Sequence, residues 1–270
     1  MDIYEQLIKF KEEGIACMIV TVVDKMGEGP VTVGKKMLVT ETAEAFGTVG
    51  GGAIEYEARE HCKTLIKSRN SDLITYSLNE GKIVENATNL PMACGGTAQL
   101  FFDYVGVKGY VYIFGGGHVG QALVRVLNTM DYHLTVIDHR KEVIDVFEGA
   151  DVTYNQSFVS FIEEKGIRDG SYMIVCTPSH KYDYNVLDQV YERGLTPKYI
   201  GMLCSHVKLQ DYLEKCYKKF GREIDLKNFY SPTGLDIGGG SPAEIAISIA
   251  AEMLAIEYDK KGHLHMRGHY

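Results

Sequence analysis

Residues 110–123, YVYIFGGGHVGQAL, carry the clearest indication of fold in the second half of this chain. An apolar run suited to a buried strand leads into Gly115, Gly117 and Gly120, which have G-x-G-x-x-G spacing, and a helical pattern follows. In a βαβ unit such glycines permit a tight turn and let a phosphate approach the backbone at the helix N-terminus. The spacing therefore predicts a Rossmann turn.

The next strand supports this interpretation. The segment HLTVID, residues 133–138, ends in Asp138. This acidic residue follows the glycines by about 20 positions, the separation at which a carboxylate contacts the ribose hydroxyls of a dinucleotide in Rossmann folds. We therefore predict binding of NAD(P) or another nucleotide. The alternative is a scaffold in which the glycines only permit the turn. We expect Arg140 to be a solvated surface charge rather than a phosphate partner.

Strand and helix patterns alternate regularly after residue 106. Strands are predicted at 110–114, 132–138, 151–155 and 171–177, and helices at 118–130, 141–149 and 158–166. Such alternation is typical of a parallel sheet with crossover helices. We predict an α/β fold, with a Rossmann-like, doubly wound domain over residues 106–270.

The first part of the chain has a different pattern. A helix ending near Gly14 precedes strands at 15–24, 35–40, 45–49, 72–78 and 97–105, with a second helix over 53–68. Short strands with few helices are typical of a small α+β domain. We assign this domain to residues 1–105.

Composition excludes several classes of protein. The 270 residues are 45% hydrophobic and carry a net charge of −8 without a cluster of basic residues, which argues against nucleic-acid binding. Residues 1–14 alternate apolar with charged side chains, unlike a signal peptide or a membrane span. None of the six cysteines forms a C-x-x-C pair. We expect a cytoplasmic protein with free thiols and no membrane partner.

Four segments together resemble one protein family. They are GTVGGGAIEYEA (47–58), PMACGG (91–96), YIFGGGHVGQAL (112–123) and TGLDIGGGSPAEIAISIAAEML (233–254). In this order they are similar to the XdhC/CoxI family, the accessory proteins of xanthine and carbon monoxide dehydrogenases. The chain departs from the family where GEGPV (27–31) lacks a serine and an arginine, and where Ala53 replaces a cysteine.

The resemblance implies an accessory protein rather than a turnover enzyme. Such a protein binds the molybdenum cofactor (molybdopterin) and assists its sulfuration and insertion into an apo molybdenum hydroxylase of the xanthine dehydrogenase type. A cysteine desulfurase is a further implied partner, and we expect a homo-oligomer.

Glycine-rich segments supply the backbone donors that a phosphate or a pterin requires. Candidate ligand residues in the first domain are Gly50, Gly51, Gly52, Glu55, Cys94, Gly95 and Gly96. A Cys94 thiolate flanked by glycine amides is a candidate molybdenum ligand or persulfide carrier; the alternative is a small buried hydrophobe in a tight turn. Glu55 either contacts the pterin or is an acid favoured in the first turn of a helix.

A nicotinamide-dependent oxidoreductase is the alternative function. Such an enzyme needs a general acid or base at the nicotinamide, and the candidates are His180, Lys181 and Tyr182. Nearer the end of the chain, Ser241 and Glu244 form a capping box that predicts a firmly started helix.

Overall fold

The chain divides into two compact units, Met1–Val107 and Lys108–Tyr270. They are described from a computed structural model that covers residues 2–79, 84–91, 95–204, 206–221 and 225–262. Among these residues, no helix combines the length and apolarity needed to span a bilayer.

The first unit is a six-stranded sheet with two helices. Its elements are α1 (Ile3–Glu12), β1 (Cys17–Met26), β2 (Lys36–Thr40), β3 (Ala45–Gly47), α2 (Gly52–Ser68), β4 (Asp72–Ser77), β5 (Thr88–Asn89) and β6 (Thr97–Val105). The strand order is β3-β2-β1-β6-β4-β5, antiparallel except for the β4–β5 pair. The predicted α+β character of this unit is confirmed.

Helix α2 covers the sheet with one apolar face. Ile54, Ala58, Cys62 and Leu65 recur at helical spacing and are buried against strand residues such as Met18 and Leu100. The helix ends at Arg69, whose positive φ of 55° terminates the hydrogen-bond ladder. This packing fixes the position of the first turn of α2, which begins within the glycine-rich segment 50–52.

The second unit is a doubly wound parallel sheet, as predicted. Its elements are β7 (Gly109–Phe114), α3 (His118–Leu127), β8 (Tyr132–Asp138), α4 (Lys141–Ile144), β9 (Val152–Asn155), α5 (Phe158–Lys165), β10 (Tyr172–Val175), α6 (His180–Arg193), β11 (Tyr199–Met202), α7 (His206–Phe220), β12 (Phe229–Tyr230) and α8 (Pro242–Glu257). The order β12-β11-β10-β7-β8-β9, with every pair parallel, is that of the Rossmann fold.

Helices cover both faces of this sheet. One face packs against α3 and α8, where Leu123, Val124 and Ile249 are fully buried. The opposite face packs against α5, α6 and α7. Strand β8 is buried along its whole length, as expected for an inner strand covered on both sides.

Several predicted boundaries in this unit are wrong. The helix predicted over 118–130 ends at Leu127. The helix predicted over 141–149 ends at Ile144; Val146 beyond it is exposed, and Gly149 has a φ of 86°, outside the helical region. The strand predicted to reach residue 177 ends at Val175, and Cys176 lies in the following loop.

Candidate functional site

The point where strand order reverses lies between β7 and β10. The two strands pair in parallel, with Phe114 opposite Val175. The chain after β7 enters α3 on one face, and the chain after β10 enters α6 on the other. In open α/β sheets, ligands bind in the crevice that this divergence creates at the carboxyl ends of the strands.

Three glycines of the predicted turn are required by packing. A Cβ on Gly115 would lie 2.4 Å from the carbonyl oxygen of Cys176, and a Cβ on Gly120 would lie 2.1 Å from that of Gly115. A Cβ on Gly116 would lie 2.9 Å from a methyl of Val143. These glycines let the two loops and the first turn of α3 approach one another.

Gly117 is different, because neither its conformation nor its packing requires a glycine. Its φ is −69°, which any residue adopts, and a Cβ added to it would have an Arg140 guanidinium nitrogen, at 3.9 Å, as its nearest neighbour. Gly117 is also the N-cap of α3 and provides no side-chain acceptor. The space beside it is open at the position where a phosphate approaches a Rossmann turn.

Most of the other helices of the described part carry a side-chain cap. Asp2, Ser157, Ser179 and Ser241 accept backbone N–H groups at the starts of α1, α5, α6 and α8. At α8, the Glu244 carboxylate also accepts from the amides of Gly240 and Ser241, so the capping box satisfies both of these donors. The N-caps of α2 and α3 are glycines without such an acceptor.

Asp138 lies at the end of β8, as predicted, but its carboxylate is buried among protein hydrogen-bond donors. It is fully buried and accepts from the Gly116 amide at 2.9 Å and the Arg140 amide at 2.9 Å. It also accepts from the Arg140 Nε at 2.9 Å and Nη2 at 2.6 Å. The expectation that Arg140 is a solvated surface charge is wrong, because its guanidinium makes a two-bond pair with Asp138.

This pair also changes the acidity of the carboxyl group. Burial by itself would raise the pKa of Asp138, but hydrogen bonds from Arg140 and Gly116 outweigh burial and hold the pKa below its ordinary value of 3.8. Asp138 is therefore ionised at neutral pH. Its contact with a ribose stays a prediction.

A small aromatic pocket lies at the same edge of the sheet. The rings of His139, Phe158 and Tyr182 are in mutual contact, with centroids 4.9 to 5.7 Å apart. They line a cavity of about 230 Å³ together with Ser157 and Asn185. The lining side chains come from the segments after β8, β9 and β10, so sequence reasoning missed the pocket.

The polar residues after β10 divide into two groups. Asp183 is buried and accepts from the Thr177 amide at 3.2 Å and the Thr177 hydroxyl at 2.5 Å, so it holds the loop that begins α6. Burial raises the pKa of Asp183. His180 and Lys181 are exposed.

In the first unit, both predicted glycine clusters contact the segment 27–31. A Cβ on Gly50 would lie 3.2 Å from the carbonyl oxygen of Pro30, and a Cβ on Gly27 would lie 2.8 Å from the Cα of Gly96. The structure therefore brings the clusters at 50–52 and 95–96 to one loop. The departure from the family at residues 27–31 lies in this loop.

Glu55 completes the loop before α2. Its carboxylate accepts from the Gly51 amide at 3.1 Å and from the Thr48 hydroxyl at 2.6 Å. The amides of Gly52 and Ala53, in the first turn of α2, have no acceptor within the described part of the chain. Glu55 thus organises the segment, and its contact with a pterin stays a prediction.

The second cluster is held by backbone pairing. Gly95 donates to the Leu78 carbonyl at 3.0 Å and Gly96 donates to the Asn79 side chain at 3.1 Å. Cys94 lies outside the described residues, so its predicted roles as ligand or sulfur carrier stay predictions.

Five of the six cysteines lie within the described residues. Cys17, Cys62, Cys176, Cys204 and Cys216 are free thiols. Burial raises the pKa of the Cys17 and Cys62 thiols to about 12, which keeps them protonated and unreactive. Across the described ranges, no three His, Cys, Asp or Glu side chains gather in a way that could hold a metal.

The fold defines a Rossmann protein with an additional α+β unit. Residues 111–253 match the family described as the XdhC Rossmann domain, and residues 10–77 match the family described as XdhC and CoxI. The first match alone covers more than half of the chain. The chain therefore belongs to the XdhC family, which confirms the resemblance found in the sequence.

Individual relatives agree with this assignment. The chain is 26% identical over 271 aligned positions to the uncharacterized protein YqeB of Escherichia coli, covering 99% of this chain and 48% of the relative. It is 24% identical over 160 positions to a probable xanthine dehydrogenase subunit of Bacillus subtilis, covering 58% of this chain and 46% of the relative. The chain thus spans about half the length of the curated relatives it matches.

One solved structure shares the fold over the whole chain. It is described as a xanthine dehydrogenase from Bacillus halodurans, with 18% identity, a TM-score of 0.51, and coverage of 100% of this chain and 99% of that one.

Proposed function

We propose that this protein is an accessory factor that binds the molybdenum cofactor and assists its sulfuration and insertion into a hydroxylase of the xanthine dehydrogenase type. Family membership supports the proposal, as does the name of the Bacillus subtilis relative. An apo hydroxylase and a cysteine desulfurase are the proposed partners, and a homo-oligomer is the proposed assembly.

The first unit has residues that suit a phosphorylated pterin. The amides of Gly52 and Ala53 point out of the first turn of α2, where the helix dipole favours an anion. Cys94 is the proposed soft sulfur ligand of the cofactor. When bound, the cofactor supplies the molybdenum centre that the partner hydroxylase uses; the residues of this chain would hold the phosphate and shelter the pterin.

The second unit is proposed to bind a nucleotide. One observation carries this part of the proposal: Gly117 is a glycine that neither backbone conformation nor packing requires, and it lies where a phosphate reaches a Rossmann turn. A side chain at this position would occupy the space that the phosphate needs.

An NAD(P)-dependent oxidoreductase is the second candidate, and the structure offers it less support. Of the three candidates, His180 and Lys181 are exposed at the start of α6, and the Tyr182 ring packs against His139 and Phe158 in the aromatic pocket. A general acid or base requires a position fixed relative to the substrate. Oxidation of NADPH with an added carbonyl acceptor, or reduction of NADP with an added alcohol donor, by the purified protein without a hydroxylase would favour this candidate.

The proposal is tested by purifying the protein anaerobically from a host that makes the cofactor, oxidising the bound pterin to its fluorescent form, and measuring molybdenum in the same sample. We expect a pterin signal that scales with protein. A pterin and molybdenum content at background would contradict the cofactor role.

A pair of variants locates the pterin phosphate. Ala53→Asp adds a carboxylate to the first turn of α2, where the dipole stabilises it but where it repels a phosphate. Ala243→Asp makes the same change at the second position of α8, which has its own capping box. We expect Ala53→Asp to lose pterin and Ala243→Asp to retain it; equal retention would contradict phosphate binding at α2.

A further inference from the structure

The carboxylate of Asp138 has no capacity left for a ribose hydroxyl. An ionised carboxylate offers about four lone-pair sites. Asp138 already accepts four hydrogen bonds, one from the Gly116 amide and three from Arg140. A dinucleotide whose ribose diol must donate to this carboxylate would have to break one of them.

The Arg140 guanidinium offers hydrogen-bond donors beside the Asp138 carboxylate, whose acceptor sites are occupied. Of the five N–H groups of a guanidinium, the one on Nε and one on Nη2 go to Asp138. The other three have no acceptor among the residues that the structure describes, and the Arg140 side chain is 31% exposed. The Nη2 atom lies 3.9 Å from the Cβ position of Gly117, so the guanidinium is beside the phosphate-binding turn.

The aromatic pocket lies next to this pair. His139 follows Asp138 in the chain, and its Nδ1 is 3.7 Å from the Asp138 carboxylate. The cavity of about 230 Å³ is smaller than the roughly 300–1,000 Å³ of a drug-sized site, so it suits one heteroaromatic base. Ser157 and Asn185 add polar groups for the edge of a base.

We infer that the second unit binds an adenine nucleotide that carries a phosphate on its base-proximal ribose, as NADP does, and discriminates against NAD. The base lies among His139, Phe158 and Tyr182, the ribose phosphate accepts from Arg140, and the bridging phosphates lie at Gly117. In Rossmann folds an arginine near the end of the second strand accommodates a 2′-phosphate. Here that arginine also saturates the acidic residue that would otherwise recognise a free ribose.

This inference rests on the nucleotide-binding part of the proposed function and not on the pterin site. Titration calorimetry of the wild-type protein with NADP, NAD, adenosine 2′,5′-bisphosphate and 5′-AMP tests it without a variant. We expect NADP to bind at least about tenfold more tightly than NAD, and the bisphosphate more tightly than 5′-AMP, because charge-assisted bonds to a phosphate are lost in each second member.

Variants then identify the residue responsible. Arg140→Gln should weaken NADP binding about ten- to hundredfold and leave NAD binding unchanged or improved, because the carboxylate of Asp138 regains acceptor capacity. Lys141→Gln removes a neighbouring cation that pairs with Asp145, and it should change neither affinity. Thermal unfolding of both variants establishes that they are folded.

A separate variant tests the base pocket. Tyr182→Ser should weaken NADP, NAD and 5′-AMP binding by a similar factor of about ten, because it removes stacking against the base and not the contact to the phosphate.

Three results would overturn the inference. Equal wild-type affinity for NADP and NAD would remove the discrimination while leaving nucleotide binding intact. Equal losses of NADP and NAD affinity in Arg140→Gln would show that the residue does not read the ribose phosphate. Absence of binding of all four nucleotides would overturn the nucleotide-binding proposal as well, whereas the pterin measurement would still decide the cofactor role.

Discussion

Replacing Gly117 with alanine separates a glycine required by the ligand from glycines required by the fold. The methyl group would have open space, with an Arg140 nitrogen at 3.9 Å as its nearest neighbour, and the φ of −69° is compatible with alanine. Loss of glycine freedom in the unfolded chain stabilises by about 0.4–1 kcal/mol, and the poorer N-cap preference of alanine opposes it. The free energy of unfolding should change by less than about 1 kcal/mol.

Gly120 provides the contrasting substitution in the same turn. A Cβ there would lie 2.1 Å from the carbonyl oxygen of Gly115, so two backbone segments would have to separate. Overpacking costs about 1–3 kcal/mol, and the upper value applies because the atom that the added Cβ would meet is a backbone carbonyl oxygen, which cannot rotate away as a side chain can. At roughly 2–4 °C per kcal/mol for a domain of this size, Gly120→Ala should lower the unfolding midpoint by about 6–12 °C.

The assay combines thermal unfolding with NADP titration of wild type, Gly117→Ala and Gly120→Ala. Gly117→Ala should keep its midpoint within about 4 °C of wild type and lose NADP affinity by at least about tenfold, because the methyl group displaces the phosphate from backbone donors. Unchanged NADP affinity in Gly117→Ala would mean that no phosphate lies against Gly117. A midpoint as low as that of Gly120→Ala would mean that Gly117 is required by the fold.

Three further predictions concern other parts of the chain. The pKa of Asp138 in the folded protein is lower than its ordinary value of 3.8, so the stabilisation that its carboxylate provides is present above that pH and is lost as the pH falls below it. Urea unfolding at several pH values should therefore show a smaller loss of stability on acidification for Asp138→Asn than for wild type. An equal dependence on pH in the two proteins would contradict the ion pair. Ser241→Ala should lower the free energy of unfolding by about 1 kcal/mol through loss of the α8 cap, and a urea midpoint equal to that of wild type would argue against the capping box. Cys94→Ala should remain folded, because loss of one sulfur atom costs on the order of 1 kcal/mol. The variant should nevertheless retain less pterin and activate the partner hydroxylase less than wild type does. Full activation of the hydroxylase by the variant would show that Cys94 only contributes to packing.

Features that depend on neighbours in sequence were predictable. The alternation of strands and helices after residue 106, the turn at Gly115–Gly117 and the Ser241 capping box all follow from local periodicity and backbone stereochemistry. The boundary of α4 was not predictable, because the exposure of Val146 depends on what packs against the segment and not on its own apolarity.

Sequence patterns were sufficient to assign the class of fold and the family, and to place Gly117 and Asp138 at the edge of a Rossmann sheet. The hydrogen bonds from Arg140 that fill the acceptor sites of Asp138, and the pocket formed by His139, Phe158 and Tyr182, are visible only in the folded chain. The reason is physical: periodicity records which face of an element is buried, whereas the partners of a polar or aromatic side chain depend on which segments converge at the carboxyl ends of separate strands.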